Sequence, residues 1–496
     1  MAKGATAGGN PKLGAKIRRL RRDQGKTQAQ LADQLGVSAS YLNLIEHNHR
    51  KVTVDMLLKL SELFQLDLKD LAEGDESQLM ADLMAVLSDD LFEELDLTNT
   101  DVRELVSTSP NAAKALLMLH DTYRKSLDDA RGLAFQLSEE TGDESFPLGG
   151  TVAPADMVSD FLQNHSNYFQ DLEDEADRVR REIGIIETQS NDSLVDYLKT
   201  AHGVTVQTVS HEAGEGFQRR YDPAQKLLQL SPRVDHARRN FQLAHQIGLL
   251  SAAPVIDMLL TEGRIREGDV RNLGRVALAN YFAAALLMPY QAFLDSARAV
   301  RYDIELLQHQ YGVSFEQTAQ RLTSLNKPGN KGIPLHFLRV DIAGNISKRF
   351  SLSGLPIPRH GGACSRWNVY SAFMNPGVIQ AQMSYLPDGA GFFCIARTVR
   401  KGGIGFGVQS SVFSIGLGCS ALYAGEMIYS DGIDLDNRDR AFGIGVHCRI
   451  CDRMDCGQRA SPPVHQRFRV DENVRGLSPY AYAGWPHHHR ELGGTR

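Results

Sequence analysis

The sequence predicts a multidomain chain: a small all-α unit at the N-terminus, a helical spacer, an α+β region and an α/β sensor-like C-terminal region. Three observations predict it. At 496 residues the chain exceeds what one hydrophobic core organises, so about three domains are expected. Apolar spacing is helical up to about residue 187 and mixed with strand-like runs beyond it. Glycine- and proline-rich breaks fall near 139–155 and at Pro328-Gly329. The resulting divisions are 1–75, 76–187 with a linker near 139–155, 188–327, 328–480 and a tail over 481–496.

Hydrophobic content of 42% and charged content of 23% are those of ordinary globular chains. Apolar runs stop short of membrane-spanning length, and Met1 to Pro11 lacks the apolar stretch of a signal peptide, so a cytoplasmic location and no membrane partner are expected. The net charge of −6 hides an asymmetry. Residues 1–60 carry eleven Lys/Arg against four Asp/Glu, whereas residues 61–190 carry nine against thirty. The basic end is the candidate polyanion binder, and the acidic stretch would be repelled by phosphates.

From Leu13, the apolar residues Leu13, Ile17 and Leu20 recur at helical spacing among Lys16, Arg18, Arg19, Arg21 and Arg22. Thr27 and Gln30 form a capping box for a second helix with Leu31, Ala32 and Leu35 on its inner stripe. Gly36 supplies a tight turn, Ser38 caps a third helix, and Leu42 and Ile45 continue it. Two short helices about a glycine turn make a helix-turn-helix, whose second helix enters the major groove of double-stranded DNA. Ala39, Ser40, Tyr41 and Asn43 are the candidate base readers, Gln28 and Arg50 the candidate phosphate contacts, and the capping Ser38 completes the DNA-binding set. The run from Thr27 to Glu46 resembles the phage-repressor (Xre, Cro/CI) helix-turn-helix family.

The acidic middle shows helical stripes at Leu79, Leu83, Met84 and Leu87 and at Ala113, Leu116 and Leu117, with a further pattern from Met157 to about Ile186. It carries no catalytic grouping. A two-fold operator requires a dimer, so these helices are either dimer contacts or a spacer.

In 188–327, Val204–Val206 and Leu227–Leu230 read as strands and Phe241–Leu250 as a helix. A zinc peptidase would place His-Glu-x-x-His on that helix, with both histidines on one face and the glutamate as general base. The chain has His245-Gln246-Ile247-Gly248-Leu249 instead, lacking the base and one ligand. With Ala279 to Ala284, Leu286 to Pro289, Val313-Ser314 and Arg321-Leu322, the region resembles the ImmA/IrrE regulatory metallopeptidases. That resemblance implies a zincin-like fold, here expected without peptidase activity. Regulatory proteolysis is the weaker alternative. Arg219, Arg220, Arg238 and Arg239 are candidate contacts to phosphates of an effector.

Beyond residue 328, Leu338–Val340, Phe392–Val399 and Val412–Leu417 read as strands, and Gly402 to Gly407 as a glycine hairpin. All six cysteines lie after residue 360, and Cys448, Cys451 and Cys456 fall within nine residues. Such clustering suits an iron–sulfur cluster, with zinc as the rival and Cys364, Cys394, Cys419 or His447 as a fourth ligand.

Phe337 to Asp341, Gly344 to Arg349, Gly361 to Cys364 with Trp367, and the run from Cys448 to Ala460 resemble the short-chain fatty acyl-CoA regulator family. The resemblance covers most of the chain. It implies a dimeric, non-enzymatic transcription regulator of acetate or propionate metabolism, with a short acyl-CoA as effector and, in some members, a 4Fe-4S cluster. A redox-sensing regulator is the alternative reading.

Overall fold

The computed structural model describes residues 26–46, 76–87, 99–123, 154–184, 191–210, 217–232, 236–265, 268–358, 362–402, 410–435 and 437–462, together with isolated positions between 17 and 64 and Phe92. The tail at 481–496, most of the linker at 139–155 and the glycine run at 403–407 lie outside these residues. The chain divides into two compact units, residues 1–121 and 122–496.

In the first unit, α1 (Gln28–Leu35) begins with the expected capping box: Gln30 N donates to Thr27 Oγ1, and Thr27 N to Gln30 Oε1. Gly36 ends it at φ +69°, a left-handed conformation that costs a residue with a Cβ. α2 (Ala39–Glu46) follows at once. Ile17, Leu31, Ala32, Leu35, Leu42, Ile45, Met56, Leu60 and Phe64 form one core beneath both helices. α3 (Glu76–Leu87), α4 (Asn99–Thr108) and a helical stretch over 110–123 bury a separate core containing Leu83, Val106 and Ala113.

The second unit begins with α5 (Pro154–Asn164), α6 (Gln170–Ile183) and α7 (Asn191–His202). A three-stranded sheet follows, β1 (Thr205–Thr208), β2 (Arg219–Asp222) and β3 (Leu227–Leu230), in the order β1-β3-β2. Then come α8 (His236–Ser251), α9 (Ala253–Glu262), α10 (Gly268–Leu287), α11 (Tyr290–Ala299), α12 (Ile304–Tyr311) and α13 (Phe315–Leu322). The second sheet comprises β4 (Leu335–Asp341), β5 (Ile346–Ser351), β6 (Gln380–Tyr385), β7 (Gly391–Lys401), β8 (Ser411–Ser420) and β9 (Phe442–Gly443), ordered β5-β4-β8-β7-β6-β9, with short α14 (Asn368–Ser371) between β5 and β6. Among the described residues no single helix is long and apolar enough to cross a membrane.

Two expectations about this half change. The region 76–187 is not one spacer: α5 and α6 pack on α10, and Phe161, Phe169, Leu172 and Val179 belong to the core of the second unit. Pro154, expected in the linker, opens α5. The C-terminal region is α+β and not α/β, because every strand pairing in the larger sheet except β6·β9 is antiparallel. Short turns join β4 to β5 and β6 to β7, whereas longer connections over 352–379 and 421–441 lead to β6 and β9.

That sheet is covered on both faces, and strand alternation sorts its residues. Leu335 and Phe337 join the core built by α5–α13, while Leu338 and Val340 face a smaller core with Leu355, Ile357, Cys364, Trp367 and Ile444. The main core therefore runs across the division expected at 327/328.

The join is also polar. Glu173 on α6 is 6% exposed and accepts from Arg321 Nη1 and Nη2 at 2.6 and 2.9 Å and from the Tyr281 hydroxyl at 2.6 Å. Arg321, 1% exposed, also donates to the Met288 carbonyl at 2.9 Å. One turn away on α13, Glu316 meets Arg339, Lys348 and Lys401 of the larger sheet.

Candidate DNA reader and effector sites

Helix α2 presents Ala39, Ser40, Asn43 and Leu44 to solvent, while Leu42 and Ile45 hold it to the core. Ser38 Oγ accepts from Tyr41 N at 3.1 Å, so Ser38 serves as the cap of this helix. The Arg50 guanidinium lies 5.7 Å over the Tyr41 ring, at the exposed end of the same surface.

Gln28, the candidate phosphate contact, also joins the two helices. Its Nε2 donates to Asn43 Oδ1 at 3.1 Å and Glu46 Oε2 at 2.8 Å, so its amide locks the two helices together and orients Asn43. Buried Glu46 also accepts from Arg21 at 2.7 Å. Burial works against the Glu46 charge, but Arg21 and Gln28 outweigh it and keep the carboxyl below its ordinary range. This pair was not read from the sequence, since a basic helix gives no sign of which arginine turns inward.

Asn43→Ala should cost about 1–3 kcal/mol at one operator position and little elsewhere. Gln28→Ala should weaken the same position, because Asn43 loses its tether. Binding titrations against operators changed one base pair at a time would show this, and an equal loss on every sequence would reassign Asn43 to the phosphates.

The four candidate arginines do not form one site. Arg219 and Arg220 alternate on β2, so Arg219 turns inward and donates to Gln246 Oε1 at 2.6 Å while Arg220 stays exposed. Arg238 donates to the Arg400 carbonyl at 2.6 Å. No contact draws Arg239 to the other three.

Arg219 thus stands beside His245 and Gln246, where a peptidase would hold its metal. Burial and then the Arg219 charge push His245 down to about 3. Burial alone pushes His336, on β4, down to a similar value. Both histidines are neutral when folded and titrate near 6.5 when unfolded. Their stabilisation is complete above 6.5 and declines as pH falls toward 3, each by up to about 1.4 kcal/mol per pH unit. Denaturant titrations from pH 7 to 4.5 should show this slope, and His245→Gln should remove about half of it.

The larger sheet carries two neighbouring pockets and a cleft. One pocket, narrow at about 20 Å³, is mostly apolar: Leu338, Leu355, Ile357, Trp367, Val369 and Ile444 surround a few polar groups, among them His336, Asn368, Gln382 and Cys394. An open cleft of about 600 Å³ shares Trp367, Asn368 and Gln382 with it and includes Arg366.

The second pocket, of about 10 Å³, is lined by Cys364, Cys448, Cys451 and Cys456, with His447, Arg453 and Arg459. The structure therefore brings Cys364 to the three clustered thiols. Cys394 and Cys419 are elsewhere: Cys394 Sγ lies 3.3 Å from His336 Nε2, and Cys419 Sγ 3.7 Å from Met427 Sδ. Backbone bonds hold the thiol loop in place. Arg459 donates to the carbonyls of Cys448, Cys451 and Arg453 at 2.6–2.9 Å, and Arg453 to those of Ile444 and Tyr385 at 3.0 and 2.7 Å. Burial raises the Cys364 and Cys451 thiols above their ordinary range.

A basic helix-turn-helix joined to a separate unit with pockets defines a DNA-binding transcription regulator, and comparison with known proteins agrees. Residues 17–71 match the helix-turn-helix family, 199–323 the IrrE N-terminal-like domain, and 324–480 the C-terminal domain of the short-chain fatty acyl coenzyme A regulators. Over 471 residues the chain is 37% identical to the HTH-type transcriptional regulator RamB of Mycobacterium tuberculosis strain H37Rv, covering 94% of this chain and 98% of that one. It is 34% identical to PrpR of the same strain over 468 residues, covering 94% and 95%. It is 35% identical to the propionyl-CoA carboxylase regulator of Cereibacter sphaeroides over 472 residues, covering 94% and 98%. A solved Mycobacterium tuberculosis transcriptional regulator matches 66% of this chain and 99% of its own, at 36% identity and a TM-score of 0.63. The chain belongs to the short-chain fatty acyl-CoA regulator family of transcription regulators.

Proposed function

We propose that this regulator controls genes of propionate or acetate assimilation in the cytoplasm. In this reading it binds its operator as a homodimer through α2 and answers to a short acyl-CoA held by the larger sheet. The open cleft of about 600 Å³ on the larger sheet carries the proposal. It would take the CoA portion beside Arg366, and through Trp367, Asn368 and Gln382 it adjoins the narrow, mostly apolar pocket, whose volume of about 20 Å³ leaves no room for a long acyl chain. Propionyl-CoA is the preferred effector because one relative is named for propionyl-CoA carboxylase regulation.

The effector must bind the DNA-competent and DNA-incompetent states with different affinity. Titrating propionyl-CoA, acetyl-CoA and free CoA into the protein–operator complex tests this: a shift with an acyl-CoA but not with CoA supports it, and no shift with any of them removes the effector.

The cysteine pocket supports a second input. Four thiols around one cavity match the ligand set of a 4Fe-4S cluster, held by Cys364, Cys448, Cys451 and Cys456. Four thiolates also suit a tetrahedral zinc, which is the rival occupant. When bound, the cluster would supply a one-electron redox centre. The chain's own part is to present the thiols from a loop anchored by Arg453 and Arg459 and to release their protons on ligation.

A further inference from the structure

Three adjacent strands bring His336 on β4, Gly418 on β8 and Cys394 on β7 into one register row. The middle position has no side chain, so the imidazole and the thiol meet across it, with Cys394 Sγ 3.3 Å from His336 Nε2. A Cβ at 418 would stand 2.6 and 2.7 Å from the His336 ring, so glycine is the residue that makes this meeting possible. On its other side the ring is held by Ser353, whose Oγ lies 2.7 Å from Nδ1 and accepts from Leu355 N at 3.3 Å. Thiol, imidazole and hydroxyl are thus aligned as nucleophile, base and orienting group. His336 and Cys394 also line the apolar pocket, and Cys394 retains accessible surface.

We propose that Cys394 is an acyl acceptor, exchanging with the thioester of a short acyl-CoA to become S-acylated while CoA leaves as a free thiol. The proposal rests on the acyl-CoA reading above and adds a covalent step to it. The sulfur of Cys394 bonds to the acyl carbonyl carbon while Nε2 of His336 takes the thiol proton. The bond from that carbon to the CoA sulfur then breaks, and Nε2 returns the proton to the departing thiolate. One thioester replaces another, so the step needs no oxidant and runs in both directions. The acylated fraction would then follow the ratio of acyl-CoA to free CoA.

Burial keeps the resting pair uncharged, with the thiol pushed up to about 12 and the imidazole down to about 3. A neutral buried thiol is inert toward reagents in solution, so exchange requires the thioester to enter the pocket and the proton to move to His336 as the sulfur attacks. The other cysteines lack this setting: Cys419 packs on Met427, and the remaining four line the second pocket.

The test uses the full chain incubated with propionyl-CoA, quenched in acid and weighed intact. The expected result is one propionyl group per chain, removable by neutral hydroxylamine, mapped to Cys394 and matched by one equivalent of free CoA. His336→Gln should slow labelling by about 10²–10⁴-fold, the usual worth of a general base. Gly418→Ala should slow it too, by displacing the ring, while Cys419→Ala should label normally. If His336→Gln fails to fold, Ser353→Ala keeps both reacting groups and should give a milder slowing. A thioether analogue of propionyl-CoA separates the two ideas. Saturable binding of the analogue with no adduct from propionyl-CoA overturns the acyl-acceptor role and leaves the effector in place, whereas no binding of either compound ends both. An adduct that maps to another cysteine, or that persists in Cys394→Ser, also overturns the role.

Discussion

Glu173→Ala is expected to destabilise the second unit by about 3–5 kcal/mol, the usual cost of leaving a buried charge without its partner. Arg321 would keep its charge at 1% exposure with no carboxylate opposite it, and the Tyr281 hydroxyl would lose its acceptor. The effect should reach beyond α6. Arg321 lies on α13, whose Glu316 meets three cations of the larger sheet, so loosening α13 frees a wall shared by the helices and the sheet. Denaturant unfolding would measure the loss. Replacing the pair together, as Glu173→Leu with Arg321→Met, should recover much of it because no charge is then left buried. If the double variant is as unstable as Glu173→Ala, the penalty comes from lost packing and not from the orphaned guanidinium.

Cys364→Ala should abolish stable cluster loading. A cubane with three protein thiolates loses one corner ligand and becomes labile, so anaerobically prepared protein is expected to lose most of its iron and visible absorbance. Cys419→Ala should load like the parent, because its thiol faces Met427 and not the pocket. Iron and sulfide analysis of the two variants side by side decides the ligand set. Full loading of Cys364→Ala would pass the fourth position to His447, which also lines the pocket. Stoichiometric zinc in place of iron would replace the cluster.

Much of the DNA reader was legible in the sequence. The capping box, Gly36 and the Leu31–Ala32–Leu35 stripe are signals contained within a few residues, and the same hydrogen bonds and burial are found in the structure. The bonds from Gln28 to Asn43 and Glu46 were not legible, because spacing does not say whether an amide also meets the neighbouring helix. The arginines at 219, 220, 238 and 239 show a different limit. Sequence proximity suggested a shared site, but strand alternation separates the first two, and Arg238 is turned to the Arg400 carbonyl.

The sequence by itself determined the family, the helix-turn-helix, the missing peptidase base and ligand, and the three clustered thiols of Cys448, Cys451 and Cys456. Each of these is written in contiguous residues, where helical period, capping and ligand spacing act over one or two turns. Only the tertiary structure decided that α5 and α6 belong to the second core, that Cys364 joins the thiol pocket, and that His336 and Cys394 face each other across Gly418. Those outcomes depend on strand register and on packing between distant segments. A one-residue slip of β8 would put a different residue between the imidazole and the thiol, and register is set by the summed burial of whole strands on both faces of the sheet.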